Sequence, residues 1–302
     1  VGLSVSVVIP SLNSLMIDQV LAALRTQNTP PDEILVVGLD RAGLVKEDAQ
    51  VRLISTGRPV SPAQARNLGA RSAHGDVICY IDADCIAAPD WTRQLLAHHA
   101  RGAEIVGGSI LVERTHYWQY CDNLAAFAPF LSVSPPGPRP YLPSLNLSIR
   151  RALLMKFGGF DERFTFASGE DTDLCFRLRR AGYTLWFEPQ AVVVHRHMRA
   201  SPGDLWRHLY MYGKVYAEIY PHYPDLLGVW RRMRASIAFP GALRLLGPAL
   251  AAFDCVERLI RWPYLWRYLD ATPALLLASL AWYHGAATTL QMQQHTNVVG
   301  KV

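Results

Sequence analysis

The side chains best placed to do chemistry are carboxylates. The apolar run Val77–Ile81 leads straight into Asp82-Ala83-Asp84, and on extended backbone two residues that are two apart share a face, so both carboxylates could reach one cation. Ligands of open α/β sheets bind beyond the carboxyl ends of the strands. Hard oxygen donors at such a place suit Mg²⁺ or Mn²⁺, and with it a diphosphate. A second acidic cluster, Glu170-Asp171-Thr172-Asp173, follows Gly169 at the start of a helical pattern. One helix cap does not need three carboxyls, and a carboxylate kept ionised there can accept the proton of an alcohol. His195 closes a later apolar strand, where a neutral imidazole could complete a Mn²⁺ site. His197 competes with it.

The absences narrow the chemistry. No GxGxxG or GxxxxGK[ST] loop occurs, so phosphate is not held by a glycine cradle. HExxH, GxSxG and paired-cysteine metal motifs are missing too, which counts against zinc and serine hydrolases. The cysteines Cys79, Cys85, Cys121, Cys175 and Cys255 form no CxxC pair and are expected to be buried free thiols of a reducing compartment. Val1–Pro10 has no signal-peptide pattern.

These residues need a scaffold, and the pattern supplies one. Ser4–Ile9, Glu33–Val37, Val51–Ile54, Val77–Ile81 and Glu104–Val112 read as strands. Between them, helices are expected at Leu15–Arg25, from Ser61 with Pro62 in the first turn, and after Asp90. Alternation of this kind predicts an α/β fold with a largely parallel sheet. The Pro- and Gly-rich stretch Ser132–Pro143 reads as a mobile loop beside the site. Further strands are expected at Leu145–Ile149, Thr184–Phe187 and Ala191–His195, with a helix at Asp171–Ala181.

The set resembles the family 2 glycosyltransferases of GT-A fold. The likeness is carried in order by VVIPSLN (Val7–Asn13), ARNLGA (Ala65–Ala70), Gly75-Asp76, YIDADC (Tyr80–Cys85), GGFDERF (Gly158–Phe164), GEDTDL (Gly169–Leu174), RAGY (Arg180–Tyr183) and VVVH ending at His195. The resemblance implies a GT-A nucleotide-binding sheet flanked by helices over 1–220, with a helical C-terminal region over 221–302. It implies a nucleotide-sugar donor, Mn²⁺ or Mg²⁺, and inversion at the anomeric carbon. By the same likeness Pro10, Asn13, Arg66 and Asp82 would contact the nucleotide and Asp84 and His195 the metal. Asp171 would be the base, with Glu170 and Asp173 orienting acceptor or helix. Where the family usually carries an acid that recognises the base, this chain has Gly38. Asp40 follows two residues on as the nucleotide-contact candidate, and a UDP-sugar is favoured over GDP or dTDP.

Charge separates the two ends of the chain. Positions 196–302 hold 12 basic and 6 acidic residues, leaving 18 basic (30 − 12) and 19 acidic (25 − 6) before them. A basic, aromatic tail on a near-neutral domain points to an anionic membrane surface rather than nucleic acid. Ala235–Phe253 and Pro273–Trp282 are too interrupted to span a bilayer, so interfacial helices are expected, against the alternative of an oligomer interface. The resulting expectation is a cytoplasmic enzyme, peripheral at the inner membrane face, acting on a lipid-linked or polysaccharide-precursor acceptor. A non-catalytic carbohydrate- or lipid-binding module and a sugar nucleotidyltransferase are the alternatives, the latter disfavoured because Ser11–Asn13 offers neither a glycine-rich loop nor a basic residue.

Overall fold

The computed structural model describes residues 2–224 and 240–299. Within them the chain divides into two compact units, 1–111 with 130–196 and 112–129 with 197–302. The boundary expected at 220 falls inside the second unit. The reason is packing: the helix from Pro202 makes its main contacts with the C-terminal helix.

In the first unit, strands β1 (Val5–Leu12), β2 (Glu33–Leu39), β3 (Val51–Ser55), β4 (Val77–Ile81), β5 (Cys85–Ala87), β6 (Ile105–Leu111), β7 (Gly137–Pro138), β8 (Asn146–Arg150) and β9 (Leu185–His195) form one sheet. Its order is β3-β2-β1-β4-β8-β6-β9-β5, with β7 added on β9. Helices α1 (Ile17–Arg25), α2 (Pro62–Ser72), α3 (Trp91–Ala100), α5 (Arg151–Lys156) and α6 (Glu170–Arg180) belong to the same unit, and α4 (Tyr117–Phe127) to the other. The expected largely parallel sheet is in fact mixed. The β3-β2-β1-β4 half is parallel, but β8 runs antiparallel to both β4 and β6, and β5 and β7 antiparallel to β9. A strand entered from a loop rather than a crossover helix is free to reverse.

Local signals explain the elements that matter. Ser61 accepts from the Gln64 amide while the Gln64 side chain takes the Ser61 amide, a complete capping box with Pro62 in the first turn. β4 is buried throughout, as its unbroken apolar run requires in a central strand. The two strands expected at Thr184–Phe187 and Ala191–His195 are one, its register against β6 shifting between Gly108 and Ser109. Ser132–Pro143, expected to be irregular, is irregular apart from the two-residue strand β7 and is anchored to the sheet. Arg139 donates its amide to the Leu185 carbonyl (2.9 Å), its guanidinium lies 4.5 Å from the Phe187 ring centroid, and Leu142 is fully buried. Proline and glycine excluded a long strand but not two residues of edge pairing. All five cysteines are buried and free.

The second unit is helical: α4, α7 (Pro202–Ile219), α8 (Pro240–Arg261) and α9 (Thr272–Val299). Helices α7 and α9 cross so closely that a Cβ on Gly213 would sit 1.9 Å from the Trp282 carbonyl oxygen, and one on Gly285 1.9 Å from that of Tyr210. Beneath them the fully buried Asp122 accepts from His208 Nδ1 (2.7 Å) and Arg199 Nε (2.9 Å), with His197 Nε2 at 3.3 Å. Burial alone would raise its proton affinity, but the His208 hydrogen bond and the surrounding cations hold the carboxyl at about 2. His197 thus sits in this buried cluster. Among the described residues no helix is long and apolar enough to cross a membrane; positions 235–239 of the first apolar run lie outside them.

Candidate active site

A pocket of about 280 Å³ opens at the carboxyl ends of β1, β2 and β4 and the start of α2, and Pro10, Gly38, Arg66, Asp82 and Asp84 are among its lining residues. This is where an open α/β sheet is expected to bind its ligand. Asp82 and Asp84 do not act as the same-face pair that extended backbone implied. Cys85 donates its amide to the Asp82 carbonyl (3.0 Å), closing a turn that sends the two side chains to different partners. Asp82 meets Arg66 (2.8 Å), whereas Asp84 lies 3.6 Å from His195 Nε2.

The strand pair β5–β9 sets Cys85 opposite His195. Donor atoms of Asp84, Cys85 and His195 lie within 4.8 Å of one another, so oxygen and nitrogen donors for a divalent cation are in place. No local signal marks Cys85, because only the antiparallel pairing brings it beside His195. Its thiol is pushed well above the usual value by burial and by the Asp84 and Asp82 charges.

Arg66 is 2% exposed and bridges two carboxylates, Asp82 and, at 2.7 Å, Glu170. Residues 104 positions apart thus form one buried charge system. Burial and the neighbouring Asp171 push the Glu170 carboxyl up to about 7, more than Arg66 pulls it down. Arg66 itself is raised: desolvation opposes its charge, but Asp82 and Glu170 outweigh it. Asp171, one position on, is half-buried and accepts from the Ser144 amide (3.0 Å) and its own neighbour Thr172 (2.7 Å). Asp173 is taken by Arg177 (2.8 Å), which also donates to the Phe157 and Gly159 carbonyls (2.7 Å each). That carboxylate fixes the GGFDERF turn to α6, and Asn67 fixes it to α2 through Phe160 (2.8 Å both ways). Asn13, at φ 57°, accepts from the Arg41 amide, and Asp40 from the Leu44 and Val45 amides. Both shape the loop after β2. Gly38 has φ +136°, and a Cβ there would lie 2.0 Å from the Ser11 carbonyl oxygen, so a side chain is barred where the family usually has its acid.

The family descriptions "Glycosyl transferase family 2" and "Glycosyl transferase family group 2" match residues 6–125 and 77–290. The chain belongs to the family 2 glycosyltransferases. Among relatives of this family-2 chain, the pre-mycofactocin glycosyltransferase of Mycobacterium tuberculosis is 33% identical over 173 residues, covering 54% of this chain and 36% of that protein. The validoxylamine A glucosyltransferase of Streptomyces hygroscopicus subsp. limoneus is 28% identical over 217 residues, 59% of this chain and 48% of its own. The chain thus spans half or less of the length of these curated relatives. Two solved structures share its GT-A fold. The mannosyltransferase PcManGT from Pyrobaculum calidifontis, in complex with GDP-Man and Mn²⁺, superposes with TM-score 0.58 at 19% identity, covering 93% of this chain and 87% of that one. GalNAc-T7 with UDP, GalNAc and Mn²⁺ gives 0.55 at 18%, covering 74% and 51%.

Proposed function

We propose that this chain carries the catalytic domain of an inverting, metal-dependent glycosyltransferase that moves a sugar from a nucleoside diphosphate, UDP favoured, to an acceptor hydroxyl. The observation that carries the proposal is the strand-end pocket that Asp82 and Asp84 both line and from which Arg66 leads to Glu170, beside Asp171. The Asp84 and His195 donor atoms, 3.6 Å apart, fit a divalent cation, and the mixed oxygen–nitrogen set suits Mn²⁺ better than Mg²⁺. Bound there, the cation would neutralise the diphosphate leaving group. Asp171 accepts the acceptor's proton, and the Ser144 amide holds its carboxylate in one orientation. Glu170 is too deeply buried to touch an acceptor; its role is to hold Arg66 at the donor pocket. The basic C-terminal region favours a lipid-linked or polysaccharide-precursor acceptor at the inner face of a membrane.

The test is a thermal-shift panel of nucleotide sugars with and without Mn²⁺, followed by transfer assays with NMR of the product anomer. Donor stabilisation should require the metal. Asp84→Ala should abolish it, whereas Asp82→Ala weakens it less. A donor bound equally well in excess chelator, or a product with retained configuration, would sink the proposal.

A further inference from the structure

We propose that the outward face of α8, with the turn that follows it, is a docking surface for the headgroup layer of an anionic membrane. An ordinary surface helix buries its apolar stripe and shows charge to water; α8 does not. Leu243, Ala251 and Cys255 are buried, and the helix packs on α9. At about 100° per residue, the side that remains spans an arc of roughly 120° holding Leu245, Leu246, Ala249, Ala252, Val256 and Ile260, with no charged residue in it. Leu245 is 85% and Ile260 72% exposed. From Leu245 to Ile260 the strip runs about 22 Å, and it continues into Trp266 and Leu269, 64% and 53% exposed. Isolated exposed leucines are ordinary, but a continuous strip of this length marks a contact surface.

The charges at its margins choose the occupant. Arg261 and Arg267 are exposed at its C-terminal end, where the Arg261 guanidinium lies 5.6 Å from the Trp262 ring centroid, whereas Arg244 lies on the packed side and donates to Thr288 (3.3 Å). The acids of the same region are engaged: Asp254 accepts from Tyr283, Asp270 pairs with Arg114, and Glu257 is half-buried and partnered. Apolar side chains with an arginine and tryptophan border match a leaflet of anionic lipid, with rings at headgroup depth and guanidinium groups on phosphate. No helix among the described residues crosses a bilayer, so this one would lie in the interfacial plane.

The experiment uses the full chain with vesicles of phosphatidylcholine alone or mixed with phosphatidylglycerol. Co-sedimentation is read at low and high salt, and indole quenching by brominated acyl chains is followed in wild type and Trp266→Phe. The chain should bind only the anionic vesicles and release as salt rises, and part of the quenching should disappear with Trp266. Leu245→Ser/Ile260→Ser should weaken binding by at least about tenfold, and Arg261→Gln/Arg267→Gln should flatten the salt dependence. Nucleotide-sugar binding by these variants in solution should be unchanged, which separates failure here from failure of the donor reading. Absence of binding to anionic vesicles at low salt, or binding indifferent to the serine pair, overturns the proposal. A concentration-dependent dimer dispersed by the serine pair, without vesicle binding, assigns the face to a second copy instead.

Discussion

Replacing Arg66 by methionine should make the stability of this protein depend on pH where the wild type is insensitive. In the wild type the Glu170 carboxyl is raised from its ordinary 4.5 to about 7. Below 4.5 both folded and unfolded chains hold that proton and nothing is lost. Between 4.5 and about 7 the unfolded chain releases it while the fold retains it, and stability falls by about 1.4 kcal/mol per pH unit, roughly 3 kcal/mol in all. Above about 7 the loss from this group is constant. Arg66 is the cation that lowers the Glu170 value, whereas burial, Asp171 and Asp82 all raise it. Without Arg66 the window of loss therefore extends upward. Above pH 7 the variant should go on losing stability, by at most about 1.4 kcal/mol per pH unit, where the wild type's loss from this group has levelled off. This adds to a loss seen at every pH, for a total of about 3–5 kcal/mol, the range for removing one member of a buried ion pair. Urea denaturation at pH 6, 7 and 8.5 of wild type, Arg66→Met, Glu170→Gln and the double variant measures it. Glutamine cannot titrate, so the extra pH dependence should vanish in the Glu170→Gln background. Parallel pH curves for wild type and Arg66→Met, or a difference that survives in the glutamine background, would show that Glu170 is not the group responsible.

Asp171→Asn keeps the acceptor geometry at the Ser144 amide but cannot take a proton. Donor affinity should survive while transfer falls by about 10²–10⁴, measured as kcat under saturating donor; near wild-type turnover would move the base to a neighbour. In the helical unit, Gly285→Ala places a methyl 1.9 Å from the Tyr210 carbonyl oxygen, a backbone atom that cannot rotate away. Forcing α7 and α9 apart should cost about 1–3 kcal/mol, read as a lower Tm, whereas alanine at the uncrowded Gly43 would meet no atom within 4 Å and tests only backbone strain.

The sequence alone determined the elements whose signals are local. β4 was legible over its full length because every position of a central strand is apolar. α2 was legible from Ser61 and Pro62, and the acidic helix from its carboxyl cluster to within a residue. The ordered motifs also announced a family whose sheet presents its ligand at the strand ends, and of the residues they singled out Pro10, Arg66, Asp82 and Asp84 line one pocket there. What they could not supply was anything that depends on which strands are neighbours. Whether β8 runs parallel or antiparallel is set by where the chain re-enters the sheet, and the junction of α7 with α9 by two glycines 72 positions apart, neither of which carries a local mark. For the same reason the turn closed by Cys85 was invisible; the family likeness grouped Asp82 with Arg66 and Asp84 with His195, but not the turn and strand pairing that bring each pair together. The charge system of Arg66 and Glu170 spans 104 positions. A guanidinium and a carboxylate read the same in a sequence whether they meet in water or in a dry interior, and only burial at 2.7 Å turns them into a coupled pair.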